Sequence, residues 1–111
     1  MDFKDFTEEE YSEMLMGLIV NSTDARTKAM DAVQAAKKGE YAEADELLKE
    51  CDTILIEAHQ IQTSMIQAEI NGEHIPIMFM VVHAQDILMD AMTIKDMAVE
   101  FVELYRKLSE N

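Results

Sequence analysis

Residues 75–89 carry the side chains best suited to chemistry. This stretch reads Ile-Pro-Ile-Met-Phe-Met-Val-Val-His-Ala-Gln-Asp-Ile-Leu-Met, and after Pro76 its only polar side chains are those of His83, Gln85 and Asp86. A neutral imidazole is a nucleophile and a proton carrier near pH 7, whereas a carboxylate among apolar side chains needs a cation or a hydrogen-bond donor to stay charged. On a helix, His83 and Asp86 lie on neighbouring parts of one face, one turn apart. The pair therefore marks a candidate reactive site.

The composition is that of one acidic, globular, helical domain. Of the 111 residues, 49% are hydrophobic and 29% are charged, which is typical of a folded chain. Only three Gly and one Pro are available for turns, so we predict an all-α fold rather than a multi-stranded sheet. The 9 basic and 23 acidic residues give a net charge of −14, which argues against nucleic acid and against an anionic membrane surface as partners.

The sequence predicts neither a membrane span nor export. The longest apolar run covers residues 75–82, whereas a spanning helix needs about 18 apolar residues. No signal segment opens the chain, and Cys51 is the single cysteine, so an internal disulfide bond cannot form. We therefore expect a cytoplasmic protein with no direct membrane insertion.

Capping and turn residues divide the chain into three long helices. Thr7 and Glu10 have the spacing of a capping box, in which each side chain bonds a free backbone N–H of the other residue. Gly39 and the pair Asn71-Gly72 favour helix ends, and Pro76 suits the first turn of a third helix. We predict a single domain over residues 1–111, with helices at about 7–38, 40–70 and 76–108.

Three such helices joined by short turns should pack as an antiparallel three-helix bundle. The third helix is apolar nearly all round over residues 75–89, which indicates burial on both sides. Because a lone bundle leaves one face of each helix in water, we expect another subunit to cover the second face. The two predicted stripes are Ile77, Val81, Ala84, Leu88, Ala91, Ala98, Val102 and Tyr105, and Met80, Ile87, Ile94, Met97, Phe101, Leu104 and Leu108.

The segment around the histidine resembles a known signature. Val82-His83-Ala84-Gln85-Asp86, followed by Leu88-Met89 and Ala91-Met92, is similar to the motif of the lactose/cellobiose-type IIA components of the bacterial phosphoenolpyruvate-dependent sugar phosphotransferase system. The similarity is collinear from about Glu9 to Leu108. It includes residues 16–22, 24–26, 35–41 and 57–63.

This resemblance implies a relay of a phosphoryl group. The histidine of the motif, here His83, would accept the group from the phosphocarrier protein HPr as a tele-phosphohistidine and pass it to a cysteine of the IIB component. IIB then phosphorylates the sugar that the membrane IIC component imports, a β-linked disaccharide of the lactose, cellobiose and chitobiose class. The chemistry agrees, because a neutral imidazole attacks phosphorus without first losing a proton.

The resemblance also implies a homotrimer with a metal ion on its axis. Asp86 of each subunit would meet at the threefold axis around one divalent cation in a nine-helix, coiled-coil-like assembly. Three carboxylates among apolar side chains repel one another, and a hard cation offsets that cost. Oxygen ligands favour Mg²⁺ or Ca²⁺ over Zn²⁺, and we expect Mg²⁺.

The remaining polar residues leave alternatives open. Many relatives carry a second histidine after the motif's aspartate, where this chain has Ile87, so no role of that imidazole carries over. Gln85 could orient the phosphoryl group or could equally be a surface or interface amide. His59, His74 and Cys51 are expected to have packing or surface roles.

Two other functions stay open from the residues alone. In one, the chain is a non-catalytic helical interaction module in which His83 is structural. In the other, it is a carboxylate-bridged metal bundle, although that design needs Glu-x-x-His pairs from two helices and only His83 and Asp86 have a comparable spacing.

Overall fold

The computed structural model describes residues 5–110, which form three helices and no strand. In chain order these are α1 (Glu8–Lys37), α2 (Tyr41–Ile70) and α3 (Phe79–Ser109). Each helix is about 45 Å long at 1.5 Å per residue, and the molecule measures 56 × 23 × 20 Å. The predicted all-α architecture is confirmed.

Two hydrogen bonds between residues far apart in the sequence give the directions of the helices. The Tyr11 hydroxyl, near the start of α1, donates to the Pro76 carbonyl just before α3 (3.4 Å), so α1 and α3 run parallel. The Tyr41 hydroxyl, at the start of α2, donates to the Tyr105 carbonyl near the end of α3 (3.3 Å), so α2 runs antiparallel to both. The bundle is therefore up-down-up.

Local sequence signals determine both ends of α1. The Glu10 N–H donates to Thr7 Oγ1 (3.0 Å) and the Thr7 N–H donates to Glu10 Oε1 (3.3 Å), which completes the predicted capping box. At the other end Gly39 adopts a φ of +80°, and the N–H groups of residues 38–40 bond the last free carbonyls of the helix. Such a left-handed residue after the last turn is the usual way for a helix to end.

The start of α3 differs from the prediction. The helix begins at Phe79 rather than at Pro76, and Met78 is its extended N-cap residue. Residues 73–78 instead cross the end of the bundle, where Ile75 is buried and the Pro76 carbonyl accepts the Tyr11 bond. That carbonyl is therefore used by α1 rather than by a first turn of α3. Tertiary contacts, which local capping rules do not include, delay the helix.

Small side chains dominate the core and allow the helices to approach closely. α1 packs extensively on both other helices, whereas α2 and α3 contact each other less. Along the α2–α3 seam, Lys95 forms an ion pair with Asp52 at 3.2 Å. The alanines buried in the three helices are Ala25, Ala29, Ala32, Ala35, Ala36, Ala44, Ala58, Ala68, Ala84, Ala91 and Ala98.

The first predicted stripe of α3 faces the core of the chain's own bundle. Ala84, Leu88, Ala91, Ala98 and Val102 are buried, and Val81 and Tyr105 are half-buried. Ile77 is the exception, because it precedes the helix and is 81% exposed.

The second predicted stripe divides into two parts. Met80 and Ile94 pack against the chain's own core and Ile87 is half-buried, so these three belong to the flank of the bundle. The other four stay exposed and continue a row on the side of α3 that points away from the core. We call this the outward row; it consists of Phe79, Val82, Met89, Met97, Phe101, Leu104 and Leu108.

Among the described residues no helix is long and apolar enough to cross a membrane.

A pair of glycine substitutions tests the helix boundaries. Replacement Gly39→Ala should lower the free energy of unfolding by about 1–2 kcal/mol, because a left-handed conformation costs a residue with a Cβ about that much. No heavy atom lies within 4 Å of the Cβ that would be added, so the effect is one of backbone conformation alone. Urea unfolding followed by circular dichroism measures it.

Gly17→Ala is the matched control. Gly17 lies exposed within α1, also with no atom within 4 Å of an added Cβ. There the same change should stabilise by about 0.5–1 kcal/mol, since alanine favours a helix interior. Equal effects of the two substitutions would contradict the helix end at Gly39.

Candidate active site

His83 lies in the second turn of α3 with its imidazole exposed. The ring stacks on Phe79, one turn earlier, with centroids 6.5 Å apart and planes inclined by 15°. Phe79 is itself 86% exposed. The aromatic neighbour therefore flanks one face of the imidazole while the ring stays accessible from outside.

The His83 ring nitrogens have no hydrogen-bond partner within residues 5–110. No hydroxyl, thiol or carboxylate of this part of the chain bonds the ring. A ring nitrogen with a free lone pair can act as a nucleophile.

Asp86 lies three residues beyond His83, about 60° away around the helix, and is exposed within the outward row. It makes no ion pair with the described residues, in contrast to Asp90 one turn later, which is bonded to Arg26 at 3.1 Å. Its carboxylate is thus available to a cation. The structure brings the predicted pair onto adjoining parts of one surface, although the two side chains do not bond each other.

One chain offers only part of a metal site. Within residues 5–110, no three His, Cys, Asp or Glu side chains come close enough together to hold a metal ion. A hard cation takes six or more oxygen ligands, and Asp86 supplies at most two. Its residue type and exposure fit a magnesium ligand only if further carboxylates or waters complete the shell.

Gln85 lies on a different side of α3 from His83. Residues two apart on a helix point about 160° apart, and Gln85 is half-buried towards α2, where its Oε1 accepts a hydrogen bond from Gln62 Nε2. The sequence reasoning missed Gln62. The sequence did contain a signal for it: Gln62 is a polar residue at a position, between Ala58 and Met65, where the apolar stripe of α2 predicts a buried side chain.

The other nucleophilic side chains lie away from His83. Cys51 is fully buried, and this burial raises the pKa of its thiol to about 11. The thiol therefore stays protonated near neutral pH and is a packing group. His74 is exposed in the connection before α3, and His59 lies at the edge of an open groove of about 370 Å³ beside Asp52 and Lys95.

Comparison with known proteins identifies the class. The family model described as "PTS system, Lactose/Cellobiose specific IIA subunit" matches residues 13–106. The chain belongs to this family of phosphotransferase-system IIA components.

Individual relatives match along nearly their whole length. The lichenan-specific phosphotransferase enzyme IIA component of Bacillus subtilis is 43% identical over 102 residues, which are 92% of this chain and 93% of the relative. The crystal structure of the cellobiose-specific enzyme IIA from Bacillus anthracis has a TM-score of 0.87 at 43% identity and covers 99% of both chains. The solution structure of the IIA(chitobiose)–HPr complex of Escherichia coli has a TM-score of 0.74 at 35% identity, and covers 88% of this chain and 95% of that one.

Proposed function

We propose that this protein carries phosphoryl groups in a sugar phosphotransferase system, with His83 as the acceptor. The observation that carries the proposal is the exposed His83 imidazole, stacked on Phe79 with unbonded nitrogens, at the surface of a IIA-family bundle. The relative solved in complex with HPr supports HPr as the donor.

The transfer needs little from the protein beyond positioning. The Nε2 lone pair attacks phosphorus of phospho-HPr, the bond from phosphorus to HPr breaks, and tele-phosphohistidine forms. The cysteine thiolate of IIB then attacks the same phosphorus and the His83 nitrogen leaves. Such reactions depend mainly on alignment and charge stabilisation, and the Phe79 ring lies nearly parallel to the imidazole on one side of it. The protein thus acts as a transferase through a phosphohistidine intermediate.

The sugar belongs to the class for which the relatives are named. These names give lichenan, cellobiose, N,N′-diacetylchitobiose and lactose, and one relative is named for galactose. We therefore take the transported sugar to be a β-linked disaccharide of the lactose, cellobiose and chitobiose class.

The outward row supports a homotrimer. Its side chains, together with the exposed polar residues Asp86 and Thr93, recur every three or four residues along α3, which is the pattern that packs helices side by side. Isolated exposed apolar residues are common, but seven of them on one side of one helix mark an interface. Parallel packing of three copies through this row forms the nine-helix assembly and brings the three Asp86 side chains together.

Asp86 of each subunit would hold Mg²⁺ in this assembly. The ion supplies positive charge where three carboxylates would otherwise repel one another among apolar side chains. The carboxylates would hold the ion, while His83 lies three residues away from Asp86 and would not contact it.

Phosphorylation of single-histidine variants tests the acceptor. Incubation with phosphoenolpyruvate, Enzyme I and HPr should add one acid-labile phosphate per chain, and His83→Gln should abolish it without loss of helicity. His59→Gln and His74→Gln are the matched controls and should be labelled like the wild type. Labelling that persists in His83→Gln would disprove the assignment.

Thermal unfolding tests the metal ligand. Saturating Mg²⁺ should raise the melting temperature of the wild type, since an ion at 100 times its Kd stabilises by about 2.7 kcal/mol. Asp86→Asn should keep the packing and lose most of the Mg²⁺ response. Asp31→Asn, the same change at an exposed site on α1, should respond like the wild type. Equal responses of Asp86→Asn and wild type would show that Asp86 does not bind the ion.

A further inference from the structure

Gln62 is a buried amide in the contact between α2 and α3. It is only 8% exposed, and both of its donated bonds reach α3. Its Nε2 donates to Gln85 Oε1 and, at 3.5 Å, to the Met89 sulfur. A buried amide with two partners on the facing helix restrains the side chains to which it binds.

The Met89 sulfur determines which way these amides point. A thioether can accept a hydrogen bond but has no proton to donate. The NH₂ end of Gln62 therefore faces Met89, and the same nitrogen's second proton meets Gln85. Because that proton needs an acceptor, Gln85 turns its oxygen inward and its own NH₂ outward.

The outward NH₂ group of Gln85 is a free donor. Within residues 5–110 nothing accepts a hydrogen bond from it. Gln85 lines an open groove of about 220 Å³ between the end of α2 and the start of α3, whose other lining residues are apolar except Glu69. Since a carboxylate only accepts, Gln85 supplies the one side-chain donor among the described residues of this groove.

We infer that Gln62 is a positioning residue for phosphoryl transfer, because it holds Gln85 with its NH₂ group, rather than its oxygen, turned towards the phosphoryl group. Phosphoryl oxygens are acceptors and bind such a donor strongly. The inference rests on the proposed function. Measured around α3 from Asp86, His83 lies about 60° to one side and Gln85 about 100° to the other. In the proposed parallel trimer packed about Asp86, the Gln85 side of one α3 therefore faces the His83 side of the next, and the phosphoryl group that Gln85 meets is that of the neighbouring copy.

Replacement of the Gln62 amide by a carboxylate tests this role. In Gln62→Glu the carboxylate only accepts, so Gln85 must turn its NH₂ inward and present its oxygen to the phosphoryl group. Transfer from phospho-HPr in single turnover should slow by about tenfold or more, the size of one hydrogen bond to a charged group. Gln62→Met, which leaves Gln85 free to rotate, should fall between Gln62→Glu and wild type.

Two controls separate positioning from stability. Gln67→Glu makes the same change at an exposed position of α2 and should leave the rate unchanged. In a Gln85→Ala background, Gln62→Glu should have no further effect on the rate, because the two residues act through one group. A slowing of the same size in that background, or an unchanged rate in Gln62→Glu, overturns the role of Gln62 while His83 labelling of wild type still supports the proposed function.

Nuclear magnetic resonance gives a second test that needs no altered side chain. In the wild type, the Gln62 amide protons should show proximity to the Met89 methyl group, and the Gln85 NH₂ resonances should shift on phosphorylation. Gln62 protons remote from Met89, or Gln85 resonances that do not move, contradict the inference. Absence of any wild-type labelling at His83 would overturn the proposed function and this inference with it.

Discussion

The structure depends on one constraint, which is that α3 is apolar on two opposite sides. On one side, small residues such as Ala84, Ala91 and Ala98 allow close packing on the chain's own helices. On the other, the outward row leaves large apolar side chains in water. Removing these from water is worth about 25 cal/mol for each Å². The proposed burial of the outward row by further copies would account for both the row and the unpaired Asp86 within it.

The same helix positions the reactive group. The crossing segment at residues 73–78, anchored by buried Ile75 and by the Tyr11 bond to Pro76, determines where α3 starts. That start places Phe79 and His83 one turn apart, so that the two rings lie nearly parallel with centroids 6.5 Å apart. The position of the imidazole therefore follows from packing at the end of the bundle, while its nitrogens remain open to a partner protein.

The sequence predicted correctly the features that depend on interactions between residues close together in the chain. The capping box at Thr7 and the end at Gly39 involve residues a few positions apart, and the prediction of α1 is confirmed. The start of α3 was placed three residues early, because the contacts that delay it come from α1. Three of the seven residues predicted for the second stripe, Met80, Ile87 and Ile94, belong to the flank of the chain's own bundle instead. A helix that is apolar nearly all round has no polar face from which the sequence could show its exposed side. Gln62 was missed because its role depends on hydrogen bonds to Gln85 and Met89 on another helix, which lie 23 and 27 residues away along the chain.

The central claim, that copies of this chain cover the outward row, is tested most directly by the mass of the particle in solution. Light scattering at micromolar concentration should give three times 12.7 kDa, about 38 kDa. Leu104 in the outward row and Ile56 on α2 are exposed almost equally in the single chain, at 52% and 53%. Leu104→Glu should dissociate the trimer while Ile56→Glu leaves it intact. A stable wild-type particle of 12.7 kDa, or an equal effect of the two substitutions, would contradict the account.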